Sequence, residues 1–142
     1  MLSTPEDLLN SNLVTTTFHQ GVDGYIGTVD TFLSGDRPDK TFHKWRRNEI
    51  DLSMSGNHEH TLLRFDDMFG SGDGQIPFGS EIVSATLTFY VVNGGNRITL
   101  HRMLTNWDET ATWNSFNSGI QTDNNEALTT ADAQSKRYVS RG

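Results

Sequence analysis

The chain contains no cysteine. That excludes a disulfide framework, a thiolate nucleophile and thiolate zinc sites. It also lacks any apolar run near the roughly 18 residues that a membrane-spanning helix requires. Positive charge is scarce: 11 Lys and Arg stand against 18 Asp and Glu, for a net charge of −7 and a pI near 5.0. Such a balance argues against DNA or RNA as a general partner. Hydrophobic residues are few as well, 34% of 142, with a mean hydropathy of −0.54. This lean composition suits a thin two-layer fold better than a helical bundle. The first ten residues have neither a basic n-region nor an apolar h-region, so no signal peptide is expected in them.

What is present is Thr, Ser, Asn and Gly, with strand-like alternation. Thr4, Pro5, Glu6 and Asp7 predict one short helix through Leu9, capped by Thr4 with Pro5 at its first position. Strands are predicted over 14–18, 28–33, 49–54 and 61–66. In the second, Val29, Thr31 and Leu33 share a face; in the fourth, Leu63 and Phe65 oppose Arg64 and Asp66. The best-marked strand is 81–92, with Val83, Ala85, Leu87, Phe89 and Val91 on one face and Ser84, Thr86, Thr88 and Tyr90 on the other. Asn93, Gly94, Gly95 and Asn96 then predict a hairpin returning over 97–104. The organisation expected is an N-terminal extension (1–13), a β-sandwich domain (14–120) and a polar C-terminal tail (121–142).

Three segments taken in order resemble a known family: LLRFD at 62–66, PFGSEIVSATLTFY at 77–90 and WDETATWN at 107–114. Their order and spacing are similar to DNRLRE or disaggregatase-related domains, grouped with carbohydrate-binding module family 96. The resemblance runs from about Thr15 to Gly119. It implies an all-β antiparallel jelly-roll β-sandwich, an extracellular or cell-surface location, and binding of polysaccharide, including acidic, alginate-like polymers. Members of the family usually continue past the Trp-Asn segment with closing strands. Here a polar stretch stands in that place, so the expected sandwich lacks its last strands and has an open edge. The stretch 41–48 also departs from the family pattern.

Candidate binding residues follow from charge and ring chemistry. Lys44, Trp45, Arg46 and Arg47, next to His43, form the one dense basic cluster in an acidic chain. Arginine grips carboxylates bidentately and tryptophan stacks on sugar rings. The alternative is a solvated loop with Trp45 tucked onto the core. Arg64 could meet an anionic sugar or hold a neighbouring carboxylate. Tyr90, with Thr86 and Thr88, offers a second platform. Trp107 and Trp113 bracket Asp108 and Glu109, either as sugar-stacking faces or, as the family pattern favours, as plugs of the sandwich.

Metal and catalytic readings are thinner. His58 and His60 share a strand face as cupin ligands do, but Arg64 and Phe65 stand where that pattern needs Glu. A structural Ca2+ would draw on Asp-rich loops, with Asp30, Asp66 and Asp67 as weak candidates and Asp23, Asp36, Asp39 and Asp73 as further acids. No nucleophile elbow, phosphate loop or His-Glu-x-x-His motif is present. The reading is therefore a non-catalytic carbohydrate-binding module. The alternative is a structural or assembly domain that self-associates as a homo-oligomer through an open β edge. A metal-dependent enzyme using His58 and His60 is a distant third.

Overall fold

The computed structural model describes residues 13–52, 58–92 and 94–136. The helix expected at 4–9, the end of the strand expected at 49–54, and position 93 of the hairpin turn lie outside them. Among the described residues the chain is mostly strand and turn, with no α-helix and with small antiparallel sheets. It divides into two compact units, Met1–Thr28 with Phe65–Glu81, and Val29–Arg64 with Ile82–Gly142.

The second unit holds the sheets. β1 (Thr28–Ser34), β2 (Asp51–Leu52) and β3 (His58–Phe65) form a three-stranded sheet in the order β1-β3-β2. β2 runs antiparallel to β3, with Asp51 opposite Glu59 and Leu52 opposite His58. The Gly35 N–H donates to the His58 carbonyl at 3.0 Å, which sets the end of β1 beside the start of β3. Thr31, Phe32, Leu33 and Ser34 are all fully buried. Successive strand residues point to opposite faces, so this half of β1 is covered on both sides rather than on the one face that alternation suggests.

Leu33 enters the main core with Leu62, Ala111 and Phe116, and Met103, Trp107, Trp113 and Ile120 pack around them. Burying a Leu or Phe side chain contributes about 1.5–3 kcal/mol, so this cluster supplies most of the local cohesion. The core residue of β3 is thus Leu62, 3% exposed, while Leu63 and Phe65, on the opposite face, are only partly buried. By period two, Leu62 shares its face with His60 and Arg64. That face looks polar in sequence but carries two polar heads that lie on tryptophan rings.

The covering layer is organised by a 3-10 helix, Trp113–Phe116. Thr112 caps it reciprocally: the Ser115 N–H donates to Thr112 Oγ1 at 3.2 Å and the Thr112 N–H donates to Ser115 Oγ at 3.0 Å. Asn117 ends it in the left-handed region. The chain then returns through Gly119 (φ +86°), where an added Cβ would lie 2.6–2.8 Å from three atoms of the Trp113 ring.

The expected 81–92 strand is not formed. Residues 81–92 carry no ladder, and Val83, Leu87, Phe89 and Val92 are 71%, 40%, 43% and 40% exposed. β4 (Thr99–Leu100) pairs antiparallel with β5 (Ala133–Gln134) instead, Thr99 opposite Gln134 and Leu100 opposite Ala133. The pairing extends raggedly, with Ser135 N–H to Ile98 O, Asp132 N–H to Leu100 O, Leu128 N–H to Arg102 O and Leu104 N–H to Glu126 O, all at 2.8–3.0 Å. The stretch read as a polar tail therefore supplies β4 with its partner. Alternation specifies a face but not a neighbour, and here the C-terminal stretch competes successfully for the backbone of 98–104. The facing pattern itself persists: Leu87, Phe89, Val91, Ile98 and Leu100 together line an apolar cleft of about 220 Å3.

The described residues of the first unit are mostly loop. The expected strand at 14–18 is irregular. Phe18 and Tyr25 meet edge to face with ring centres 5.1 Å apart, and Gln20 Oε1 accepts from the Thr28 N–H at 2.9 Å. In the Gly-rich loop, Gln75 is the internal stitch. Its Oε1 accepts from the Gly72 N–H and its Nε2 donates to the Asp67 carbonyl, both at 2.9 Å. A Cβ at Gly70 would collide with that amide, which explains glycine there.

Candidate ligand-binding site

The basic-aromatic loop begins where β1 ends. Arg37 N–H donates to Ser34 O at 3.1 Å, Lys40 N–H to Arg37 O at 3.0 Å and Trp45 N–H to Phe42 O at 2.9 Å. These tight turns fold 35–47 back over the face of β1 that points away from the main core. Phe42, 1% exposed, stacks on Phe32 with ring centres 4.0 Å apart and 27° between planes. Trp45 meets both rings edge-on, at 5.8 Å from Phe32 and 5.3 Å from Phe42. Each such pair adds about 0.5–1.5 kcal/mol beyond burial, so two phenylalanines anchor a tryptophan that is still 45% exposed.

Two cations lie on these rings. The Arg37 guanidinium carbon is 4.7 Å from the Phe42 ring centre and 5.3 Å from that of Trp45. Lys40 Nζ is 5.4 Å from Phe42 and 5.1 Å from Trp45. Both are within cation–π range. Lys44, Arg46 and Arg47 are exposed and make no hydrogen bond or ion pair with another described residue. The cations that touch Trp45 are thus Arg37 and Lys40, which lie outside the contiguous basic run 43–47. The readable signal was their three-residue spacing across a Pro38 turn. The loop is braced from the 3-10 helix, where Asn114 donates from its N–H to Pro38 O at 3.0 Å and from Nδ2 to Asp39 Oδ1 at 2.7 Å.

Arg64 lies elsewhere. Its Nη1 donates to the Trp107 carbonyl at 2.9 Å and its guanidinium carbon is 4.9 Å from the Trp107 ring centre. It holds the covering layer on β3. Tyr90 is 76% exposed on the extended 82–92 segment and makes no ring contact with another described residue. Residues 81–92 form no strand, so Thr86, Thr88 and Tyr90 do not lie on a sheet.

His60 is committed to the core. Its Nδ1 accepts from the Ile120 N–H at 3.1 Å, which places any ring proton on Nε2, and the ring sits 4.9 Å from that of Trp113. Burial, and then the neighbouring His58, hold its pKa below the usual histidine value. Among the described residues no three His, Asp or Glu side chains converge as a metal site. Asp30 Oδ2 accepts from Asn48 Nδ2. Asp67 has a left-handed backbone (φ 59°) and lends its carbonyl to Gln75. Asp66 and Asp67 belong to the first unit and Asp30 to the second.

Comparison with models of known protein families, with curated proteins and with solved structures finds no match for this chain.

Proposed function

We propose that the chain is a non-catalytic carbohydrate-binding module of jelly-roll β-sandwich type, related to the DNRLRE domains, that grips acidic polysaccharide such as alginate at an extracellular or cell-surface location. The observation that carries this reading is Trp45: nearly half exposed, backed by buried aromatics, and flanked by Arg37 and Lys40. A ring held this way presents its exposed surface to the C–H face of a sugar, while the two cations beside it meet carboxylates. Five of the eleven Lys and Arg residues of the chain fall within 37–47, so this loop is cationic on an otherwise acidic protein. Lys44, Arg46 and Arg47 extend the positive field along the polymer.

The test is affinity electrophoresis through gels containing alginate, pectin or a neutral glucan. Retardation is expected with the acidic polymers, weaker at high salt as screening shortens the reach of the charges, and lost in Trp45→Ala and in the double variant Arg37→Ala/Lys40→Ala. Equal mobility in every gel would overturn the reading.

A second reading is favoured by one observation: residues 82–92 have the pattern of a strand, are largely exposed, and pair with no other described strand. Such a segment invites a β partner. Self-association through it predicts a dimer in sedimentation that Leu87→Lys or Phe89→Lys dissolves. A monomer at all concentrations would remove this reading.

A further inference from the structure

A second cleft, of about 300 Å3, opens in the second unit, with Asn106, Trp107, Asp108, Phe116 and Glu126 among the residues that line it. Its size is at the low end of the roughly 300–1,000 Å3 typical of small-molecule sites. Trp107 and the buried Phe116 give it an apolar wall. Its two carboxylates are held in place. Asp108 Oδ1 accepts from both the N–H and the Oγ1 of Thr110, which locks the carboxylate and leaves Oδ2 without a described donor. Those same bonds hold its pKa below the usual aspartate value, so it stays ionised. Glu126 Oε2 accepts from the Gln121 N–H at 2.9 Å, and the Glu126 N–H donates to Asp123 Oδ1 at 3.0 Å, leaving Oε1 for a ligand. The side-chain amide of Asn106 makes no hydrogen bond with another described residue.

We propose that this cleft binds one pyranose unit that carries no negative charge. The apolar wall takes a C–H face of the ring, the two preset carboxylate oxygens accept hydroxyl protons, and the Asn106 amide supplies both a donor and an acceptor. Two carboxylates at the cleft disfavour an anionic sugar, which is the opposite preference from the Arg37–Trp45–Lys40 cluster. The proposal goes beyond acidic-polymer binding and does not rest on it. Taken together with the proposed acidic-polymer site, it would give the chain two sites of contrasting charge, suited to a mixed polymer.

The experiment is titration of the full chain with glucose, galactose, mannose, xylose, glucuronate and glucosamine, followed by amide chemical shifts. Saturable shifts centred on 105–116 and 126 are expected for at least one neutral sugar. Asp108→Asn and Glu126→Gln are each expected to weaken that binding about tenfold, since each weakens a charge-assisted hydrogen bond. Trp45→Ala is expected to leave it unchanged while abolishing retardation by alginate, so the two sites fail independently. No saturable shift with any neutral sugar would overturn the proposal. So would tighter binding of glucuronate than of any neutral sugar, or full binding by both carboxylate variants in a spectrum that remains folded.

Discussion

The Arg64 guanidinium lies 4.9 Å from the centre of the Trp107 ring and donates from Nη1 to the carbonyl of that same residue at 2.9 Å. Two segments 43 residues apart are thereby joined through one side chain. The ring takes the cation on its π face and the backbone takes a proton, so Arg64 fixes both the position and the tilt of the covering layer. Arg64→Ala is expected to cost about 1–3 kcal/mol by urea denaturation. Arg64→Lys is expected to recover less than half of that, because an ammonium keeps the charge but not the fork.

Gly119 stands against Trp113 with φ +86° and no room for a Cβ. Gly119→Ala therefore carries both a backbone cost, about 1–2 kcal/mol for a left-handed residue, and a clash with the indole. Gly74 has a similar φ of +80° with nothing within 4 Å. Gly74→Ala should cost the backbone component alone, and thermal melts of the two variants separate the contributions.

Thr31 is fully buried and its Oγ1 finds no partner among the described residues. An unpaired buried hydroxyl is unfavourable, whereas a methyl there is not. Thr31→Val is expected to raise stability by about 1 kcal/mol, measured as a shift of the urea midpoint at unchanged slope.

His60 sets an acid limit. Its folded-state pKa lies below the ordinary value of 6.5 because of burial. The stability tied to its neutral form is therefore complete above that value and is lost as pH falls through the lowered one. Protonation of Nδ1 also breaks the bond from the Ile120 N–H. Tm is expected to fall as the protein is taken below pH 6.5, and to fall less steeply in His60→Gln.

Glu59 acts in the opposite sense. Burial, and then the nearby Glu49 carboxylate, raise its pKa above the usual 4.5. The stability tied to its protonated form is complete below that value and is lost as pH rises through the raised one. Glu59→Gln is expected to raise Tm at pH 7 and to leave it unchanged at pH 4.

Much of the secondary structure was legible in the sequence. The all-β character follows from composition and alternation, and β1 and β3 lie within a few residues of the segments that alternation marked. The turns that follow β1 suit their residues, because Gly35 leaves the backbone free and Pro38 fixes φ. Trp45 was visible as a residue type in a basic run, but the cations that touch its ring were not those of the run.

The rest needed tertiary structure, for one physical reason. A sequence pattern states what a residue does to its own strand, but not which distant group covers it. The His60–Leu62–Arg64 face of β3 reads as polar until Trp113 and Trp107 are laid on its two polar heads. The 81–92 segment reads as the best strand in the chain until β5 takes the backbone of β4. Arg37 and Lys40 read as isolated charges until the 35–47 turns bring both onto Trp45. The sequence by itself determined strand class, local turns and charge balance, since each depends on neighbours in the chain. Partner choice, core face and the two clefts were decided by packing between segments tens of residues apart.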